Sequence, residues 1–503
     1  MRRTSFVPAG LLGLLMVGGG ASLWGQNKPL VVEEGRYSIH LLLHKIGTES
    51  YTVTETAPGR RVMTTTSTTS DRGMKRTSDL KLEMGPLGVP VLLEQRALGS
   101  SGASGSSGGG GSAEDVSRAE GKGGSVTGVV SVTERGVSRT MRRPQVAFMG
   151  FGSMPASLQM MMMRYWRLHH QPVRLPILRA SEKALPVEIK LAGHDSFSVN
   201  GRMVRLTRYT VANLMFGREI VWMNDSGRIA ALMTFAGGLP QEEILEGYEP
   251  VEAELEHSGV QQEMLDLDDL DRRVPAEAAG AFAIVGARLI DGTGSPAVEN
   301  SVVMVRDGRI VAAGKAGTVT VPAGMRVIHA EGRSLLPGLW EMHSHYSGVE
   351  FGPALLAAGV TTARDCGGEF EFLTTVRRKI DRDHALGPRL LLAGLIDSGG
   401  PLAFGYVDVK TPAEAVEAVD TYADAKFEQI KVYTQLQPDV LKAIDAEAHR
   451  RGMTVTGHVP AAINAFDGIA DGMDQINHLQ FVTRAMTSDG SAAPVDLQSE
   501  RAQ

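Results

Sequence analysis

Apolar and polar residues alternate with a period of two through much of the first half of the chain, as in Tyr37–His44, Tyr51–Thr56 and Val204–Val211. Every second side chain of a strand faces the same side, so this pattern, rich in Thr, Val and Tyr, predicts antiparallel strands with one covered face. Ile220–Leu232 reads as a hairpin, because Asn224-Asp225-Ser226-Gly227 supplies turn chemistry between two apolar runs. Two segments interrupt the alternation. The Gly/Ser-rich tract Gly99–Gly124 is expected to be a flexible loop with nothing to bury. Ala156–His169 is expected to be a helix in which Met160–Met163 point around all faces, which is packing rather than metal binding. His169 and His170, being adjacent, point in different directions and read as surface residues.

After Phe282 the pattern changes. Short strands at Ala283–Ile290, Ser301–Arg306 and Arg309–Ala312 are followed by apolar strand-like runs at Leu335–Met342, Thr361–Cys366, Arg389–Ile396, Gln429–Tyr433, Thr454–Val459 and Gln475–Leu479. Helical segments alternate with these runs near Gly352–Ala358, Phe370–Leu386, Pro412–Lys426, Pro438–Arg451 and Ile463–Ala470. Nearly continuous apolar strands separated by helices are the mark of a parallel sheet covered by helices, an α/β arrangement. The expected organisation is therefore a mostly antiparallel β domain at 26–265, a linker at 266–281, small β-sandwich strands at 282–334, and an incomplete TIM-like (β/α)8 barrel at 335–503. The acidic stretch Gln241–Asp271 reads as a solvated connection between the halves. Six barrel strands are counted, and the polar tail Ala485–Gln503 cannot supply two more buried ones, so the chain is expected to be an incomplete record of a longer protein.

The N-terminus adds a compartment. Met1-Arg2-Arg3, the apolar run Val7–Val17 and the small residues Gly18–Ser22 form a signal-peptide layout at 1–25, with cleavage before Gln26. The apolar run is shorter than the roughly 20 residues that span a bilayer, so the mature chain is expected in the periplasm or outside the cell, without stable membrane insertion. A hydrophobic content of 43% is ordinary for a globular protein, and a net charge of −6 without basic tracts gives no reason to expect a nucleic-acid partner. The single cysteine, Cys366, has no intramolecular disulfide partner and reads as a packing residue.

The chemistry lies in the second half. His343 and His345 are separated by one residue, which on a strand places both on one face about 6.6 Å apart, close enough to share a metal. Lys431, His458 and His478 follow, each at or near the end of a strand-like run. A lysine ammonium beside metal dications would be repelled, so a lysine there must be neutral or converted into an anion; otherwise Lys431 reaches the rim to pair with a carboxylate. Tyr433, two residues further, faces the same side as Lys431 and is a candidate oxyanion donor, or else a packed aromatic. Tyr346 and Arg364 are weaker candidates, and His384 and His449 read as helix surface residues.

Leu336-Pro-Gly-Leu-Trp-Glu-Met342 before the histidine pair, Asp291-Gly-Thr-Gly294, Gly359-Val-Thr-Thr-Ala-Arg-Asp365 and Gln429-Ile-Lys-Val-Tyr433 together resemble the metal-dependent amidohydrolase superfamily. Within it, the chain looks like the imidazolonepropionase-related and Xaa-Pro dipeptidase-like branch, from about Phe282 onward. The resemblance implies that His343 and His345 bind a first divalent metal and that Lys431 is carboxylated to bridge two zinc ions. It further implies that His458 and His478 hold the second ion, while a metal-activated hydroxide attacks the amide carbonyl of a cyclic amide, prolyl dipeptide or other small molecule. The superfamily's last-strand aspartate, the general base, has no counterpart here, so the chain as it stands is expected to be inactive. The competing readings are a non-catalytic exported binding protein with a degenerate barrel, and metal storage.

Overall fold

The computed structural model describes residues 30–99, 115–121, 128–134, 136–152, 154–181, 185–234, 239–274, 280–400, 402–405 and 407–486. The signal-like N-terminus, most of the Gly/Ser tract and the tail beyond Met486 lie outside these residues. Among the described residues, the alternating half of the chain folds into one antiparallel sheet of thirteen strands. Two meanders make it, one from Leu30–Leu41 to Val137–Arg142 and the other from Glu188–Val199 to Gln241–Leu245. They join where Gln241–Leu245 lies antiparallel to Leu30–Leu41, pairing Leu245 with Tyr37.

The period-two residues cover a helix. Tyr37, Tyr51, Val53, Met63, Leu80, Leu82 and Leu93 pack in one core with the helix Ala156–Leu168, whose Met160, Met161, Met162 and Met163 are all buried. Unbranched methionine fills irregular gaps, which suits a helix enclosed on every side. Its N-cap, Pro155, offers no side-chain cap. Instead the Ala156 N–H donates to Glu243 Oε2 at 3.0 Å and the Ser157 N–H to Glu49 Oε1 at 2.8 Å, so two carboxylates from the sheet satisfy the orphan donors of the first turn.

The hairpin stands where the turn chemistry places it. Arg218–Met223 and Ile229–Thr234 pair antiparallel, with the Asn224 N–H donating to Arg228 O at 3.0 Å. Its uninterrupted apolar run has a cause: Val221 and Met223 face the methionine helix, while Ile220 and Trp222 face a second core on the other side of the sheet.

Three expectations change. Asp115–Gly121, inside the expected loop, is a strand between Pro90–Gly99 and Val129–Glu134. Its glycine- and serine-rich flanks mask a short segment in which Ala119 is buried and Arg118 pairs with Glu94. The acidic stretch Gln241–Asp271 is not a solvated connection. It forms the buried strand Gln241–Leu245 and the helix Glu252–Arg273, whose Leu255, Val260, Met264 and Leu267 sit in a core shared by the sheet and the barrel half. That helix also runs through the first part of the segment expected as a linker. Finally, Leu335–Met342 is split. Ser334–Leu335 joins the small sheet beside Phe282–Leu289, and Leu339–Ser344 starts the barrel, because Pro337 lacks the N–H that continuous pairing needs.

The small sheet has five strands, Phe282–Leu289, Val298–Arg306, Arg309–Lys315, Arg326–His329 and Ser334–Leu335. Beyond it lie six parallel strands in sequential order, the first to sixth strands of an open barrel: Leu339–Ser344, Val360–Asp365, Arg389–Ile396, Gln429–Val432, Thr454–Gly457 and Gln475–Ile476. Helices Phe351–Ala357, Phe370–Asp383, Pro412–Asp424, Pro438–Arg450 and Ala465–Asp471 connect them. This is half or more of a (β/α) barrel, with no closed ring among the described residues. No helix among those residues is long and apolar enough to cross a membrane.

Candidate metal centre

The carboxyl ends of the parallel strands carry the side chains singled out in the sequence. His343 lies near the end of the first strand and His345 just beyond it. Lys431 is on the fourth strand, His458 follows the fifth, and His478 is two residues past the sixth. Strand pairing sets their level: the His458 N–H donates to Val432 O at 3.0 Å and the Asn477 N–H to Gly457 O at 2.8 Å. Gly457 has to be glycine, since a Cβ there would stand 2.1 Å from Val432 O.

The four imidazoles converge. Ring centroids are 5.7 Å apart for His343 and His345, 4.9 Å for His343 and His478, and 4.9 Å for His458 and His478. His345 turns Nδ1 to Gly367 O at 2.8 Å, and His458 turns Nδ1 to Thr434 Oγ1 at 3.3 Å, leaving each Nε2 for another partner. Outer hydrogen bonds of this kind fix the ring orientation of a histidine ligand. Among the described residues, no three histidine, cysteine or carboxylate side chains stand at mutual ligating separation.

Lys431 is 2% exposed. Its ammonium donates to Asn477 Oδ1 at 2.6 Å, a neutral acceptor, and among the described residues no carboxylate forms an ion pair with it. Desolvation pushes its pKa down to about 8. Desolvation, followed by the Lys431 charge, also lowers His343 to about 4 and lowers His458 further. His478, more open to solvent, shifts down for the same two reasons. Burial disfavours the charged forms of His343, His458, His478 and Lys431 alike, a donor set that would suit divalent cations, and a carbamate on Lys431 would supply an anion between them.

Tyr433 stacks on His458 with ring centroids 3.9 Å apart and lies against Phe404 at 5.0 Å. It is therefore at the site, as its spacing from Lys431 predicts. The weaker candidates are structural. Tyr346 is buried in the core, where its N–H donates to Asp365 Oδ2 at 2.6 Å. Arg364 spans the barrel interior, donating to Met342 O at 2.6 Å, to Gln429 Oε1 at 3.2 Å and to Gln475, so one guanidinium ties the second strand to the first, fourth and sixth. Cys366 is buried packing. His384 caps a helix in a left-handed conformation, and His449 pairs with Asp474 at 3.0 Å. His169, half of the adjacent pair, approaches Leu87 O at 3.1 Å.

Three residues escape a sequence reading. Asn477 holds Lys431, and buried Asp365 accepts from the N–H groups of Tyr346 and Gly367, organising the loop beside His345. Asp365 closes the Gly359–Asp365 motif and Asn477 lies in the run Gln475–Leu479, but nothing in their spacing singles them out. Arg72 comes from the N-terminal sheet, more than 350 positions from its partner Tyr433. A cavity of about 460 Å³ at the carboxyl ends of the third to fifth strands, lined by Ser398, Thr434, Gln435 and Ala461 among others, adjoins the site through Thr434.

No family model matches the chain. It is 39% identical over 110 residues to the N-acyl-D-aspartate deacylase of Alcaligenes xylosoxydans xylosoxydans, which is 21% of either chain. Similar solved structures include a Xaa-Pro dipeptidase with bound methionine in the active site, at 21% identity and a TM-score of 0.36, covering 40% of this chain and 62% of that one. Bottromycin amidohydrolase matches at 23% identity and a TM-score of 0.34, covering 40% and 43% of the two chains. Molinate hydrolase matches at 24% and 0.31, covering 36% and 54%. The chain thus spans about a fifth of the curated relative's length and less than two thirds of each of these structures. The proteins to which the chain is similar include a deacylase, a Xaa-Pro dipeptidase, an amidohydrolase and a hydrolase by name.

Proposed function

We propose that this chain belongs to an exported metal-dependent hydrolase of carbon–nitrogen bonds, acting on amides, cyclic amides or prolyl dipeptides. The observation that carries the reading is the convergence of His343, His345, His458 and His478 around buried Lys431 at the carboxyl ends of parallel strands, the end of such a barrel where active sites are built. His343 and His345 would hold one divalent ion, His458 and His478 a second, and a carboxylated Lys431 would bridge them. Bound there, zinc would polarise a carbonyl and lower the pKa of water to about 7.

The protein's own groups then have distinct tasks. Gly367 O and Thr434 aim the rings of His345 and His458. Asn477 fixes the end of Lys431, and Tyr433, stacked on His458, offers its hydroxyl to the developing oxyanion. The retention of all four imidazoles disfavours a degenerate barrel serving a non-catalytic binding protein.

The test is metal binding, followed by turnover on a panel of cyclic amides and prolyl dipeptides. The purified protein should take up zinc in calorimetric titration, and His343→Ala combined with His458→Ala should abolish the uptake. Equal zinc binding by parent and double variant would refute the site. Export is tested separately by sequencing the N-terminus of secreted material, expected at Gln26; an intact Met1 on cytoplasmic protein contradicts it.

A further inference from the structure

The N-terminal sheet reaches the candidate active site. Its strands Arg60–Asp71 and Met74–Met84 are joined by a tight turn at Arg72-Gly73. Gly73 has φ +79°, and a Cβ on it would lie 2.7 Å from Leu402 Cδ2 in the loop after the third barrel strand, so the turn sits directly against the barrel rim. Beside it, Leu42 from the neighbouring turn packs with Leu395, Phe404 and Tyr433.

Arg72 is held in one orientation there. Asp71 takes two of its donors, Nε to Oδ1 at 2.9 Å and Nη2 to Oδ2 at 2.6 Å. The guanidinium lies over the Phe404 ring, 4.9 Å from its centroid. The remaining nitrogen, Nη1, donates to the Tyr433 hydroxyl at 3.4 Å. A guanidinium has only donors, so toward Arg72 the phenol oxygen accepts, and the phenol's own proton must point elsewhere. On its other side Tyr433 stacks on His458.

We infer that Arg72 is a positioning residue for the reaction: it orients the Tyr433 hydroxyl so that its proton is presented to the substrate oxyanion, which makes the N-terminal sheet a working part of the active site. The inference rests on the oxyanion role proposed for Tyr433. It assigns the β domain a task inside catalysis rather than a separate binding activity. Asp71 is the support that keeps the fork of the arginine from turning to solvent.

The experiment uses whole protein that turns over the panel of cyclic amides and prolyl dipeptides, with Arg72→Gln, Arg72→Lys, Tyr433→Phe and the double variant Arg72→Gln/Tyr433→Phe. In protein labelled with 3-fluorotyrosine, the 19F resonance lost in Tyr433→Phe identifies Tyr433, and Arg72→Gln should shift it. Zinc content and melting temperature should stay at parental values in Arg72→Gln, while kcat falls about tenfold or more with KM little changed, the pattern of a lost transition-state interaction. Arg72→Lys should recover part of the rate, and Arg72→Gln should cost nothing further in the Tyr433→Phe background. An unshifted resonance, lost zinc, or an equal fold-loss in both backgrounds overturns the inference. A Tyr433→Phe variant with unchanged kcat removes the oxyanion role itself and the catalytic half of the inference with it, whereas the resonance still decides whether Arg72 touches Tyr433.

Discussion

Lys431 and Asn477 meet across the fifth strand of the open barrel: the ammonium on the fourth strand donates to Oδ1 just beyond the sixth at 2.6 Å, and Thr456 Oγ1 approaches the same oxygen at 3.5 Å. A lysine this deeply buried, hydrogen-bonded to a neutral amide and surrounded by imidazoles, has its charged form disfavoured by desolvation, which the nearby Asp365 carboxylate only partly offsets. Loss of the ammonium proton, addition of carbon dioxide at Nζ and loss of a second proton to solvent would turn it into a carbamate anion, and the amide of Asn477 can rotate to present its NH2 to a carbamate oxygen in place of Oδ1.

Carboxylation is therefore expected to be measurable. Protein prepared with 13C-bicarbonate and zinc should show a carbamate carbonyl resonance that Lys431→Ala abolishes, together with most of the bound metal. Short carboxylic acids added to Lys431→Ala should restore part of the metal content. A variant with parental zinc stoichiometry would show that Lys431 bridges nothing.

The candidate site was legible because its signal is local: His343 and His345 sit two apart at the end of one strand, and Lys431 and His458 lie in or just past short apolar strands. The alternation around Tyr51 and Val204 likewise announced the antiparallel sheet. What stayed hidden depends on contacts between distant segments. The acidic stretch around Glu256 and Glu263 reads as solvated by composition, yet those carboxylates are buried, and Glu263 accepts from the Val349 N–H at 3.1 Å. Arg72 looked like any turn residue, since its role exists only once the sheet is laid against the barrel.

Buried carboxylates of the N-terminal sheet make stability depend on pH in a direction opposite to ordinary acid denaturation. Desolvation raises Glu219 from 4.5 to about 7 and Glu242 to about 8, with the Gln159 amide donating to Glu219 at 3.2 Å. Between 4.5 and those values the folded protein keeps protons that the unfolded chain has released. The stabilisation from these groups is thus complete below pH 4.5 and is lost as pH rises through 7 to 8. Glu219→Gln, which keeps the acceptor for Gln159, should flatten that decline and be more stable than the parent at pH 8 by roughly 1–3 kcal/mol in urea denaturation. Parallel pH profiles for the two proteins would show that Glu219 ionises in the folded state as it does in the unfolded one.

The helix Glu252–Arg273 is the joint between the halves, and its removal from the core should be felt on both sides. Leu255, Val260 and Leu267 share a core with Trp222 and Ile220 of the sheet and with Phe372 and Val376 of the barrel helix Phe370–Asp383. Polar contacts reinforce the apolar ones: His257 Nδ1 lies 2.6 Å from Glu371 Oε1, and the Leu386 N–H donates to Asp271 Oδ1 at 2.6 Å. Leu255 is fully buried, so truncating it leaves a cavity that packed neighbours on two sides cannot easily close. Leu255→Ala is expected to cost about 2–5 kcal/mol. Because the cavity opens in a shared core, amide exchange should rise together in the hairpin Arg218–Thr234 and in the helix Phe370–Asp383, and melting should remain a single transition. Faster exchange confined to one half, or two separated melting steps, would show that the sheet and the barrel fold as independent units and would leave Arg72 without a rigid platform from which to hold Tyr433.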